Sequence, residues 1–370
     1  MSLPTNRFLY LDNLRSFALL LGLIFHSAIV YAESVGYAIK SIERSIWFDH
    51  FCYFIHAFRM PLFFFLSGYF SEMVWKRKGW KVYLNTRSTR LVLPFVIGVL
   101  FLAPIQYYIV MLNKGGNFSF LDFYLQNWLR GFDGLSHLWF LQYLILYCII
   151  LVFFSSLKES LFFKKLPNWL LFLKYSFFTV CLTILTNLYL LKGTKYIHID
   201  PYLFFFYMSF FIAGIFSYKN QIVFFGKTLS KMQLICLLFV CFVLFLLFES
   251  IEKSDPLWMS PFWGREWTRS YHILLASLVA WSLIYLFIEI FRITANWENK
   301  TSIYIRDSSL PIYLIHHPIS LALAYILLPV EISVYAKFFI HTGLVFLFSF
   351  WIYDTLILPS PMIRKLMGMK

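Results

Sequence analysis

Short basic connections divide the chain into ten apolar stretches, each long enough to cross or nearly cross a bilayer: Leu14–Tyr31, Phe51–Met73, Leu91–Leu112, Leu138–Phe154, Trp169–Leu191, Tyr202–Tyr218, Leu234–Phe248, His272–Phe291, Leu310–Leu328 and Phe338–Leu358. Few architectures survive that division. In hydrocarbon every backbone N–H and C=O must be satisfied within the protein, and stretches this apolar on all faces satisfy them as helices. The expected fold is an all-α polytopic membrane protein with ten transmembrane helices, a single transmembrane domain over residues 1–370.

Composition agrees: 60% of residues are hydrophobic, 14% are charged, and the mean hydropathy is +0.71. A soluble domain is excluded on those terms. The first stretch, with Asp12 at its start, carries Arg15 and His26 and is not followed by a small-residue cleavage site, so it reads as a retained helix rather than a signal peptide. The five cysteines, Cys52, Cys148, Cys181, Cys236 and Cys241, lack CxxC spacing and read as packed thiols; no metal-ligand pattern emerges.

A net charge of +14 raises the question of a nucleic-acid partner. The cations lie instead in the connections, above all Lys76, Arg77, Lys78, Lys81, Arg87 and Arg90, where they set topology and meet anionic lipid. An even number of crossings puts both termini on one side, and the Lys and Arg distribution makes that side cytoplasmic.

Ionisable groups inside such stretches are costly and mark function. Arg15 and His26 are eleven residues apart. On a helix that is three turns to within about 20°, so both side chains share a face, separated by roughly 16 Å along the axis. At the cytoplasmic boundary Arg15 is joined by Asp12 and by Arg87 and Arg90, one turn apart. Arginine forks bind phosphate oxygens bidentately, and such a cluster suits a phosphorylated ligand; the same residues also serve as positive-inside anchors.

A second polar group lies deeper and towards the outside. His26 and His56 fall at similar depths on antiparallel helices, Arg59 follows His56 by three positions, His137 opens the fourth helix, and His316 and His317 precede Pro318 in the ninth. A lone membrane histidine is often only hydrogen-bonded across helices. Several at neighbouring depths, with an arginine among them, predict a polar chamber.

Leu11-Asp12-x-Leu14-Arg15 followed by His26, then Phe63-Phe64-Phe65-Leu66-Ser67-Gly68-Tyr69, then Arg87-x-x-Arg90, resembles the integral-membrane acyltransferase family 3. The resemblance spans the chain. Within the family, His56-Ala57-Phe58-Arg59-Met60, Ser136-His137-Leu138-Trp139-Phe140-Leu141 and Ile312-Tyr313-Leu314-Ile315-His316-His317-Pro318 are most similar to members that succinylate osmoregulated periplasmic glucans. Many members carry a carboxylate on the fourth helix where this chain has Gln142, so that acid's role does not transfer.

The resemblance implies an enzyme of the bacterial inner membrane that takes an acyl group, succinyl, from cytoplasmic acyl-CoA to hydroxyls of a periplasmic glucan. Arg15, Arg87, Arg90 and Asp12 are then expected at the coenzyme A phosphates, with an open passage for the pantetheine arm from there up the bundle to His26. His26 is the expected general base, with Arg59, His56 and His316 as further catalytic groups. His137, Trp139 and His317, together with Trp263 and Arg265 in the outward segment before the eighth helix, are the expected acceptor-binding residues. Trp and Tyr gather at any membrane interface as well. Direct transfer and a covalent acyl-protein intermediate both remain open, as do an O-acetyltransferase of another surface polysaccharide and, in a different class, a polytopic glycan or solute transporter.

Overall fold

In a computed structural model the described residues are 8–129, 134–156, 177–182, 199–219, 228–253 and 265–369. The secondary structure among them is helical throughout. The principal helices are α1 (Leu9–Ala28), α2 (Ile46–Arg87), α3 (Ala103–Asn113), α4 (Trp139–Ser156), α5 (Pro201–Lys219), α6 (Lys231–Lys253), α7 (Arg265–Thr294), α8 (Lys300–Leu327), α9 (Val334–Ile352) and the short α10 (Pro361–Leu366).

Among the described residues seven helical segments are long and apolar enough to cross a membrane: Leu9–Tyr31, Ile46–Asn113, Pro201–Lys219, Lys231–Ile251, Tyr271–Thr294, Lys300–Leu327 and Val334–Ile357; Ser136–Val152 is a shorter apolar helix. The second of these runs for 68 residues, about 100 Å if straight, and contains the expected second and third crossings. Gly79 divides it. Its φ of 76° and ψ of 168° leave the helical region, a conformation glycine adopts without a Cβ penalty, and the break falls within the basic run Lys76–Lys81. Beyond it the chain climbs through π-helical turns at Ser88–Val92 and Gly98–Leu102 into α3. The expected fifth crossing, Trp169–Leu191, lies outside the described residues except for 177–182.

Small residues let the central helices touch. A Cβ built on Gly68 of α2 would strike the Phe211 carbonyl, and one on Gly214 of α5 would strike the Phe65 carbonyl. The glycine of the Phe-Phe-Phe-Leu-Ser-Gly run is therefore a close-approach device, as in other membrane helix pairs. Aromatic stacking fills the surrounding core, with Phe58 on Phe287 at 4.4 Å between centroids and Phe210 on Trp281 at 4.8 Å. The start of α8 is set by Asn299, whose side chain accepts from the Ser302 N–H while Ser302 reciprocates to the Asn299 N–H, closing a capping box.

Candidate active site

Two of these helices are parallel and carry the same spacing. On α1 Arg15 precedes His26 by eleven residues; on α8 Arg306 precedes His317 by eleven. Packed side by side, they bring two arginines together at one end of the bundle and two histidines together at the other.

At the arginine end a cavity of about 560 Å³ is lined by Arg15, Arg87, Arg90, Arg306 and Arg364, with Asp307 between them. Arg15 lies 3.8 Å from Asp12 and over the Phe70 ring, and Arg87 donates to Ser71 Oγ at 3.1 Å and lies over Tyr83. Arg306 pairs with Glu298 at 2.7 Å. Arg364 comes from α10, which is held against the mouth because Gly368, at φ 76°, packs on the Arg90 carbonyl where a Cβ would be 2.9 Å from the oxygen. Five guanidinium groups around one opening make a site for a polyanion.

At the other end four buried imidazoles touch. His26 is 4.5 Å from His317 and 5.3 Å from His316 between ring centroids, and His137 stacks on His317 at 4.7 Å and meets His316 at 5.5 Å. Their hydrogen bonds assign several nitrogens. His316 Nδ1 lies 2.5 Å from the Tyr313 carbonyl, which can only accept, so Nδ1 carries the proton and Nε2 the lone pair; Nε2 has no hydrogen-bond partner among the described residues. His137 Nε2 donates to the Leu314 carbonyl at 3.2 Å, and its Nδ1 is 3.3 Å from the Gln106 side chain. Ser136, in the left-handed region at φ 47°, donates to the same Gln106 at 2.5 Å and turns the chain so that α4 enters with His137 inward.

Arg59 lies between the two ends. It is buried, its guanidinium is 4.7 Å from the Phe25 ring centre, and Nη1 has no hydrogen-bond partner among the described residues. Gly22, one turn before His26, makes room for it: a Cβ there would sit 2.8 Å from Nη1 and 3.3 Å from Tyr313. A buried guanidinium packed against Gly22, one turn from His26, is equipped to receive negative charge.

Three placements differ from expectation. His56 is exposed and stacks on Phe25 at 6.1 Å, apart from the four-histidine cluster. A three-residue step leaves about 60° between it and Arg59, enough at the edge of the bundle to turn one outward while the other is buried. Trp139 faces Tyr207 of α5 at 5.6 Å and Tyr143 at 5.2 Å, towards the wall behind Arg59. The cavity does not continue as the expected open passage, since none of the four histidines lines it. The cavity lining ends at Leu19, Phe63, Phe140 and Pro311, where Phe63 meets Phe140 at 5.3 Å and Phe140 meets Tyr313 at 4.7 Å, both edge-on. Tyr313 in turn touches His316 at 5.0 Å. Trp263 lies outside the described residues, as does the Arg265 side chain.

Sequence reasoning passed over Arg306 and Arg364, and it passed over Tyr37. The repeated eleven-residue spacing was the available signal for Arg306. Tyr37 lies on the loop between α1 and α2, where its hydroxyl is 3.3 Å from His26 Nδ1 and 2.8 Å from His317 Nε2. Burial pushes its phenol pKa up, which keeps it a neutral O–H. Among the described residues no grouping of His, Cys, Asp and Glu is arranged to hold a metal ion.

With a helical membrane bundle that sets clustered histidines at one end and an arginine-lined cavity at the other, the chain is a membrane acyltransferase by class: it belongs to the acyltransferase domain family, whose model matches residues 8–354. Its relatives are more particular. It is 29% identical over 340 residues to glucans biosynthesis protein C of Escherichia coli O157:H7, an alignment covering 86% of this chain and 83% of that one. The proteins of the same name from Shigella dysenteriae and E. coli K12 are each 28% identical over 338 residues, with the same coverage. No solved structure matches the chain.

Proposed function

We propose that this protein is an O-acyltransferase of the bacterial inner membrane that moves a succinyl group from cytoplasmic succinyl-CoA to hydroxyls of a periplasmic glucan. Ten crossings with both termini cytoplasmic suit that direction, since the arginine end then faces the cytoplasm and the histidine end the periplasm. The observation that carries the reading is the shared axis of α1: a polyanion site at Arg15 and an imidazole at His26, roughly 16 Å apart on one helix face.

In this reading Arg15, Arg87, Arg90, Arg306 and Arg364 hold the coenzyme A phosphates, with Asp12 orienting Arg15. The pantetheine arm rises past Leu19 and Phe63, and Phe140 and Tyr313 must part for the thioester to pass. The acceptor hydroxyl arrives from the His137 and His317 side. Neutral His26 takes its proton at Nε2 as the oxygen attacks the acyl carbon. The tetrahedral oxyanion is met by Arg59, after which the carbon–sulfur bond breaks and the thiolate recovers a proton from His26. Arg59 also offers the cation that a terminal succinyl carboxylate needs and an acetyl group does not. Mass spectrometry of periplasmic glucans from cells with and without the intact protein tests the reading: a succinyl mass increment that depends on the protein supports it, and an acetyl increment or none contradicts it.

A further inference from the structure

The loop of residues 32–45 is folded back and clamped onto the histidine end of the bundle. Both oxygens of the fully buried Asp49 accept from it: Oδ1 takes the Ser34 and Val35 N–H groups at 3.0 Å and Oδ2 the Glu33 N–H at 3.1 Å. From inside the loop, Lys40 Nζ donates to the carbonyls of Ile29 at 3.2 Å, Val35 at 2.8 Å and also Ala32. The Ser41 and Ser45 N–H groups bond the Val30 and Tyr31 carbonyls at 2.9 and 3.0 Å. Between exposed Gly36 and Ala38, this scaffold delivers a single ring, Tyr37, into the imidazole cluster.

A phenol has one proton, so it can donate to only one of the two imidazoles it touches and must accept from the other. The two distances differ in the informative direction. Hydroxyl donors make shorter bonds than N–H donors, which favours Tyr37 O–H donating to His317 Nε2 at 2.8 Å, with that ring's proton on Nδ1, a nitrogen without a hydrogen-bond partner among the described residues, and His26 Nδ1–H donating to the Tyr37 oxygen at 3.3 Å. From this we infer that Tyr37 is a positioning residue that locks His26 in the tautomer with its proton on Nδ1 and its lone pair on Nε2. The inference rests on His26 being the base, and it supplies what that role lacks: a free imidazole favours neither tautomer decisively, and the wrong one presents N–H where a proton must be taken. Tyr37 then stands to His26 as the orienting partner stands to the base in other acid–base sites, through hydrogen bonding alone and without touching the reacting atoms.

The test is made on full-length protein in lipid nanodiscs with imidazole-15N histidine, the His26 signals being assigned by their loss in His26→Gln. The inference expects His26 to be protonated at Nδ1 in the unsubstituted protein and to become a mixture of tautomers in Tyr37→Phe. With succinyl-CoA as donor, Tyr37→Phe is expected to lower kcat by about 100-fold while KM for the donor stays within error and the melting temperature falls only by the few degrees that losing one buried hydroxyl costs, a split that loss of packing does not produce. An Nε2-protonated His26 in the unsubstituted protein overturns the inference outright, whatever the turnover. Full turnover in Tyr37→Phe with none in His26→Ala overturns it too, but leaves His26 as base. Turnover retained in His26→Ala removes the base itself, a separate failure from that of the hydrogen bond, which the nitrogen signals still decide.

Discussion

Phe140 and Tyr313 meet edge to face, 4.7 Å between centroids with their planes at 79°, at the boundary between the arginine-lined cavity and the histidine cluster. Phe63 backs the contact from α2. In the proposed reaction this layer would keep a thioester bound at the arginines from water on the far side. Phe140→Leu is expected to loosen it and raise acceptor-independent hydrolysis of succinyl-CoA several-fold, followed as free thiol, with donor affinity unchanged. Hydrolysis at the original rate would leave the layer as ordinary core packing.

Arg306 and Arg364 extend the polyanion site beyond the three arginines evident in the sequence. Each Ala substitution is expected to weaken coenzyme A binding by about ten-fold, in line with the loss of one charge-assisted hydrogen bond. Calorimetric titration checks this, with exposed Arg44 at the opposite end of the bundle as a control whose removal changes nothing. Unchanged affinity in both variants confines the phosphates to Arg15, Arg87 and Arg90.

Arg59 is buried with a donor that has no hydrogen-bond partner among the described residues, a placement that costs stability. Arg59→Gln is therefore expected to leave the melting temperature unchanged or raise it. Succinyl transfer should fall by about 100-fold while coenzyme A affinity stays within two-fold. Equal losses of transfer and binding would place Arg59 with the phosphate cluster instead.

Gly214 leaves no room for a side chain against the Phe65 carbonyl. The obstacle is backbone, which cannot rotate away, so Gly214→Ala is expected to cost about 3 kcal/mol, the upper end for overpacking by one methyl. Thermal unfolding in detergent checks it; a variant as stable as the original protein would mean that α2 and α5 separate freely.

Much of this was legible because helix geometry is regular. The Arg15 and His26 spacing, the arginine pair before the third crossing and the gathering of His26, His137, His316 and His317 all follow from periodicity and depth. Arg306 was missed although its spacing to His317 repeats that of Arg15 to His26, because it falls before the apolar stretch that begins at Leu310. Position around a helix at the bundle edge was less legible, as His56 shows: 60° separates burial from exposure. Tyr37 was not legible at all. Its place depends on where a loop is fastened, and only the folded chain brings Asp49 and Lys40 to the backbone groups that fasten it.

In the proposed reaction a donor held at the arginine end gives its acyl group to an acceptor at the histidine end, with His26 taking the proton. Proteoliposomes with radiolabelled succinyl-CoA on the arginine side and a glucan on the other measure it directly. Label is expected to appear on the glucan with the unsubstituted protein and to be absent with His26→Ala of equal stability and coenzyme A affinity. Label transferred at the same rate by His26→Ala would contradict the account.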